Sequence, residues 1–299
     1  MTGMTKSPDL HTHSTASDGT LTPEALVARA AAAGVPVLAL TDHDTTEGLA
    51  EAAAAARLLG IGFVPGVEIS VTWGGRTVHL VGLGVDPDHP ELCQGLAGLI
   101  AFRSWRAEEI GRRLAKQGIA GAYAGAKALS NGRLIGRTHF ARFLVERRLA
   151  ADERAVFKHY LVNGKPGHVP GQWATLEEAV GWIRAAGGQA VIAHPARYRY
   201  TRSKLLTLIG EFREVGGIGL EVVSGSHSRD DVFNFARHAR EQRLLASAGS
   251  DFHGPDLSLS ANPWPGLGRL PALPEGSTPI WHDWPLIASS ADAPQAAVA

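Results

Sequence analysis

Short runs of apolar residues recur along the chain, separated by stretches in which apolar residues return every three or four positions. The runs are VPVLALTDHD at 35–44, GFVPGVEIS at 62–70, TVHLVGLGV at 77–85, QAVIAHP at 189–195, GIGLEVVS at 217–224 and LLASAGSDFH at 244–253. Each has the length of a strand buried on both faces, and DLHTH at 9–13 adds a seventh. Thr22-Pro23-Glu24 opens a helix before ALVARAAAAG, and an alanine-rich helix runs from Glu47 to Leu59 and stops at Gly60. Strands alternating with helices predict a parallel sheet, and seven such units predict an α/β barrel in preference to an open sheet.

The rhythm fails between 90 and 170, where helical patterns at 91–117, 136–149 and 152–161 are followed by the turn-rich NGKPGHVPG. A structureless loop of that length would be exceptional, so a helical insertion covering the barrel mouth is expected. The expected order is a first barrel part at 1–89, a helical cap that selects substrate at 90–170, a second barrel part at 171–287 and a disordered tail at 288–299.

Composition narrows the function classes. The 299 residues are 44% hydrophobic and 19% charged, as in a globular protein with a large core. Lys plus Arg equals Asp plus Glu at 29 each, so no global positive field attracts nucleic acid, and an anionic substrate needs local charge or metal ions. The single Cys93 excludes a disulfide framework, and residues 1–8 carry no apolar leader core, so a cytoplasmic protein with no membrane partner is expected.

Chemistry-bearing residues gather at the ends of the expected strands. On an extended backbone Asp9, His11 and His13 share a face, so two imidazoles converge. Asp42, His43 and Asp44 follow the second strand and Glu68 lies near the end of the third. His79 is in the fourth, His194 ends the fifth, and Asp251 with His253 ends the seventh. In parallel barrels such ends meet at one mouth, so residues scattered along the chain would converge there. Imidazole and carboxylate without thiolate point to manganese, with zinc or iron as alternatives.

The set DLHTHSTASDG, ALTDHD, GVEIS, VHLVGLG, AVIAHP and GSDFH resembles the polymerase and histidinol phosphatase (PHP) family of metal-dependent phosphoesterases, and the likeness runs from Asp9 to His253. GRTHFARFL and YLVNGKPGHVPGQW resemble the branch holding 3′,5′-nucleoside bisphosphate phosphatases and 5′→3′ exoribonucleases. The resemblance implies a distorted (β/α)7 barrel with a helical insertion domain and three divalent metal ions. By that resemblance His11, His13, Glu68 and Asp251 hold the first ion, and Glu68 shares the second with His79 and His194. Asp18, His43 and His253 hold the third. Closely spaced metal ions would supply a hydroxide for in-line attack on phosphorus and neutralise its oxygens, with Glu68, Asp18 and His43 acting through them.

Further residues carry two readings each. Arg137 either forks onto a substrate phosphate or lies on a solvated helix face, and His139 either faces the site or packs beneath the cap. Arg197 leaves the mouth in HPARY, and Lys165 sits in a turn that could reach substrate. His227 could protonate a leaving oxygen or merely open a helix. Asp42 or Asp44 is expected to hold a histidine ring nitrogen, although Asp44 also suits a helix cap. Glu221, inside a strand, calls for a hydrogen-bonded role in the core. Trp173 could stack on a base or anchor the cap. The expected reaction removes the 3′-phosphate of a nucleoside 3′,5′-bisphosphate to leave a 5′-mononucleotide. Alternatives are 5′→3′ exoribonuclease action on short 5′-phosphorylated RNA, histidinol-phosphate phosphatase, and a non-catalytic metal-stabilised binding module. No stable protein partner is indicated.

Overall fold

A computed structural model describes residues 7–130, 134–255 and 266–285; the expected tail at 288–299 lies outside them. The described strands are β1 (Val37–Leu40), β2 (Gly62–Trp73), β3 (Arg76–Leu83), β4 (Gln189–Ile192), β5 (Gly219–Ser224) and β6 (Leu245–Gly249). They form one sheet in the order β1-β2-β3-β4-β5-β6. Helices α1 (Pro23–Ala32) and α2 (Leu49–Leu59) flank β1, while α8 (Arg202–Glu214) and α9 (Arg229–Glu241) link β4, β5 and β6. None of the helices among the described residues is long and apolar enough to cross a membrane.

The sheet is mixed, which corrects the expectation of a parallel one. β1 with β2, β4 with β5 and β5 with β6 are parallel, but β3 is antiparallel to both its neighbours. Gly74 and Gly75, at φ of 54° and 74°, connect Trp73 to its partner Arg76. A two-residue turn requiring positive φ makes a hairpin; a parallel crossover needs a dozen residues or more. Because β3 therefore starts at the mouth, His79 near its beginning stands level with residues near the ends of the other strands.

The opening segment is also not a full strand. It joins the outer edges of the sheet through isolated bridges, Asp9 to Leu38 and Thr12 to Phe252, with Leu10 N–H donating to the Ala248 carbonyl at 2.9 Å. The result is a distorted barrel of six strands plus this short link. Leu10, Val37, Ala39, Val64, Val81, Leu83, Val191, Ala193 and Ile280 fill its interior, with Trp281 and Trp284 packed against them. A second apolar layer, including Val67, Ile69, Leu80, Ile183, Phe212 and Leu220, lies between sheet and helices.

Between β3 and β4 the described residues carry helices only: α3 (Pro90–Ala115), α4 (Ala122–Leu129), α5 (Arg137–Glu146), α6 (Glu153–Val156), one π-helical turn (Phe157–Leu161) and α7 (Leu176–Ala185). Residues from Ala107 to Val169, among them Leu114, Phe140 and Leu144, bury a cluster of their own. The chain returns to the barrel at Trp173, whose indole N–H donates to Thr77 Oγ1 and whose amide donates to Thr72 Oγ1, both at 3.0 Å.

Candidate metal centre

The centre is built around one carboxylate. Glu68 is fully buried in β2, and five imidazoles surround it. Its Oε1 lies 2.8 Å from both His79 Nδ1 and His194 Nε2. Its Oε2 lies 2.8 Å from His43 Nδ1 and 3.3 Å from Nε2 of both His11 and His13. Asp251 adds a second carboxylate, its Oδ1 being 3.1 Å from His13 Nε2 and 3.5 Å from His11 Nε2. Three overlapping groups could each hold an ion: His11, His13, Glu68 and Asp251; His43, Glu68 and His79; and His13, Asp18, His43 and His253. His194 belongs to none of these groups but touches Glu68 beside His79. His13 and His43 each belong to two groups, so they stand between assignments that the sequence kept apart.

Backbone and buried bonds fix these side chains. His194, Asp251 and Asp44 have φ of 28°, 55° and 52°, a left-handed conformation that costs non-glycine residues free energy and recurs at functional sites. His11 Nδ1 lies 2.6 Å from Glu221 Oε1, and Glu221 Oε2 accepts from the His194 amide at 2.5 Å. Glu221 therefore orients two candidate ligands from the neighbouring strand, the usual task of a carboxylate behind a metal-binding histidine. Gly249 is required beside them: a Cβ there would lie 2.2 Å from His11 Cβ. Asp18 depends on the helical segment. Thr138 on α5 donates to its Oδ2 at 2.8 Å, and Arg142 donates to its backbone carbonyl at 2.6 Å. Its Oδ1 faces His253 Nε2 at 3.2 Å and His43 Nε2 at 3.9 Å.

The donor set fits divalent metal. His11 and His13 point their Nε2 atoms at each other across 3.1 Å. Asp18 Oδ1, Glu68 Oε2, His13 Nδ1 and His43 Nδ1 are buried without a well-directed hydrogen bond. Such burial is costly unless charge compensates it. Burial opposes ionisation of Glu68, but His43, His79 and His11 hold its carboxyl well below the usual range. Burial likewise opposes a charge on His13, yet bonds to Asp251 and Glu68 push the imidazole up to about 10. His11 also lies well above its usual value, against burial, because of Glu221, Glu68 and Asp251.

These shifts predict a pH dependence for metal loading. A raised histidine contributes stability that is complete below about 6.5 and lost as pH rises through the folded value, about 10 for His13. Metal-stripped protein should therefore hold protons on His11 and His13 at pH 7.5. Since both rings must be neutral to bind metal, loading must release protons and strengthen as pH rises. Titration calorimetry with manganese in two buffers of different ionisation enthalpy measures this release; equal heats in both would refute the assignment.

Several expected roles change. Neither Asp42 nor Asp44 holds a histidine ring among the described bonds. Asp42 instead accepts from Ser14 N–H and the hydroxyls of Ser14 and Ser17, and Asp44 accepts from Ser70 N–H and Arg103. His227 is fully buried against Phe235, and its Nδ1 lies 3.0 Å from the Val222 carbonyl. Nδ1 must carry the proton of the neutral ring to donate there, so Nε2 has none to give, and a leaving-group acid role is not supported. Arg197 pairs with Asp251 Oδ2 and keeps 40% of its side chain exposed at the mouth. Lys165 is exposed in its turn, with no ion pair among the described residues.

His139 is buried, and its Nδ1 accepts from Gly136 N–H at 3.0 Å. Burial, with Arg142 and Arg103 nearby outweighing Asp18, lowers it to about 4, so the ring is neutral and its proton is on Nε2. Arg137 lies over the Phe157 ring at 5.5 Å. Sequence reasoning missed its two companions. Arg103 and Arg106 on α3 lie over Trp173 at 5.0 and 5.3 Å, and burial together with Arg137 and Arg103 pushes Arg106 down to about 9. Arg103 also reaches Asp44 Oδ2 at 2.6 Å and Ser70 Oγ at 3.0 Å, which connects the arginines to the metal centre.

Residues 9–186 match the PHP domain model. The chain belongs to the PHP family. It is 52% identical over 276 residues to a 3′,5′-nucleoside bisphosphate phosphatase of Chromobacterium violaceum, a match covering 92% of this chain and 95% of that protein. It is 45% identical to the 5′-3′ exoribonuclease Rnm of Escherichia coli, over 92% of this chain and 93% of the relative. The solved structure of a Chromobacterium violaceum amidohydrolase, with bound sulfate and no metal, superposes with a TM-score of 0.88 at 52% identity, over 94% of this PHP chain and 95% of that one.

Proposed function

We propose that this PHP protein hydrolyses the 3′-phosphate of nucleoside 3′,5′-bisphosphates, giving a 5′-mononucleotide and phosphate. The observation that carries this reading is the arginine cluster beside the metal centre. Arg103, Arg106 and Arg137 are buried or half-buried, and among the described residues Asp44 is their one carboxylate partner. Buried positive charge in such excess is costly until an anion arrives. Its neighbour Arg103 links it to Asp44 and Ser70, next in chain to or opposite His43 and His79, so a second phosphate of the same small molecule can sit there. The named activity of the 52% identical relative supports the same substrate.

We assign three divalent ions, manganese by preference, to the three histidine and carboxylate groups. When bound, they would activate water and offset charge on the phosphate under attack. The chain's own residues do the rest. The arginines hold the 5′-phosphate, and that remote binding energy positions the scissile group. Neutral His139 offers an Nε2 proton beside Asp18, where it can donate a hydrogen bond to substrate. The helical residues 90–170 act as the substrate-selecting cap, and Thr138 and Arg142 dock them to the metal loop. We place this activity in the cytoplasm, with small nucleotides as its substrates.

Phosphate release with manganese should be compared for adenosine 3′,5′-bisphosphate, 3′-AMP and 5′-AMP. The bisphosphate should lead in kcat/KM by at least about tenfold, about 1.4 kcal/mol of transition-state discrimination. Arg137→Ala should shrink that lead. Equal rates on the monophosphates would reject the two-phosphate reading.

A further inference from the structure

His194 breaks the alternation of its own strand. Along β4, Ala190 and Ile192 face the helix layer whereas Val191 and Ala193 face the barrel interior, so an extended backbone would turn residue 194 outward. Glu68 is on the inside, since it pairs across the hairpin with Val81, a member of the interior set. Yet His194 Nε2 reaches Glu68 Oε1 at 2.8 Å. The reversal takes place at His194 itself, where φ is 28° and ψ 57°. Pro195 does not cause it, because the residue before a proline favours an extended backbone.

The ladder between β3 and β4 is altered one residue earlier. Continued past Leu80 and Ile192, its antiparallel register sets His79 opposite Ala193. The Ala193 N–H donates to the His79 carbonyl at 3.1 Å, so the two form a hydrogen-bonded pair, whose return bond would run from the His79 N–H to the Ala193 carbonyl. A phenol stands in that place. The His79 N–H donates to Tyr198 Oη at 2.9 Å, and the same hydroxyl donates to the Ala193 carbonyl at 2.9 Å. Two bonds in series replace one, so the strands part on this side. The 3-10 turn Pro195–Tyr198 returns the tyrosine to its own strand end, and its ring lies edge-on to His194 with centroids 5.7 Å apart.

We infer that Tyr198 is a positioning residue: by taking the return bond of the His79–Ala193 pair, it ends β4 at Ala193 and turns His194 into the barrel beside His79. The two imidazoles then meet one oxygen. His79 Nδ1 and His194 Nε2 each lie 2.8 Å from Glu68 Oε1, with ring centroids 5.3 Å apart and planes at 72°. Only a side chain that accepts and donates at the same atom can stand in this ladder, which a hydroxyl does and a phenyl ring cannot. Without it the His79 N–H and the Ala193 carbonyl either pair directly, which extends β4 and restores its alternation, or lose their partner. In both cases the turn at His194 loses its support. The functional consequence rests on the proposed assignment of an ion to His43, Glu68 and His79, whose seat His194 shares through Glu68.

The test is Tyr198→Phe, which keeps the ring and removes only the hydroxyl. A crystal structure of the metal-free variant should show the His194 ring withdrawn from Glu68. Manganese binding to metal-stripped protein, followed by the electron spin resonance of the free ion, should show one ion held about 10–100-fold more weakly than in wild type, with the others unchanged within about twofold. His79→Ala should weaken that same ion. A variant structure with His194 still on Glu68, whether or not a water fills the hydroxyl's place, would overturn the inference. So would manganese binding by Tyr198→Phe equal to wild type when His79→Ala has lost an ion; a lower melting temperature alone is what a merely structural hydroxyl would give. If His194 is withdrawn in Tyr198→Phe while His79→Ala binds manganese as wild type does, the ion assignment falls and the positioning role of Tyr198 stands.

Discussion

Glu68→Gln should lower phosphate release by at least about 1000-fold and leave the purified protein short of metal. The side chain is completely buried and each of its oxygens is within 2.8 Å of an imidazole nitrogen. An amide keeps the shape but loses the charge, and its NH2 turns one acceptor into a donor pointed at ring nitrogens that must offer lone pairs to metal. Two of the three candidate ion groups contain this residue, so one substitution weakens both. Losing charge stabilisation at a phosphoryl transition state removes one of the largest catalytic terms. Elemental analysis and phosphate release on the same preparation check the result. A variant retaining a tenth of wild-type turnover with full metal content would sink the assignment.

Replacing Glu221 should cost about 10–100-fold in metal affinity, although the residue belongs to none of the three candidate ion groups. Its two oxygens hold the His11 ring and the His194 backbone, at 2.6 and 2.5 Å. In Glu221→Gln one of those bonds must be lost or reversed, and the His11 ring loses the carboxylate that fixes its proton on Nδ1. Because this fault lies in ligand orientation, excess manganese should recover most of the activity, whereas Glu68→Gln should stay inactive. Activity titrated against manganese separates the two. An unshifted half-saturation point for Glu221→Gln would remove it from this positioning role.

The residues that the fold gathers around Glu68 could be picked out in the sequence because they sit at strand ends, where a short apolar run stops at a polar residue. The antiparallel hairpin was hidden for a different reason. GVEIS and TVHLVGLGV each read as an independent buried strand, and the alternation elsewhere supplied an imagined crossover between them. WGGR at 73–76 carried the contrary signal, since paired glycines between two apolar runs are a hairpin turn. The opening HxH segment read as a strand by its alternation, yet it makes only isolated bridges.

Partners beyond the ligands were harder to see. Arg103 and Arg106 stand three apart on a long helix with several other charges, so nothing local marks them as inward-facing; only the distant Trp173 does. Thr138 reaches Asp18 across 120 positions of sequence. Glu221 was legible as a buried carboxylate needing a partner, but which partner depended on the register between β5, β6 and the opening segment. For Asp42 the sequence suggested a histidine, whereas the tight turn at Ser14–Ser17 presents three closer donors.

The hairpin also sets an order of assembly. Of the three candidate ion groups, only His43, Glu68 and His79 are contained in one short stretch, between residues 43 and 79. The other two each need Asp251 or His253, from beyond the last strand. As the chain leaves the ribosome, the His43–Glu68–His79 group can gather as soon as β1, β2 and β3 have paired. The remaining groups must wait until about 170 further residues have been made and the two ends of the sheet have met. An ion in that first group would be held by local chain alone, whereas one in either of the others would require the whole barrel to have closed.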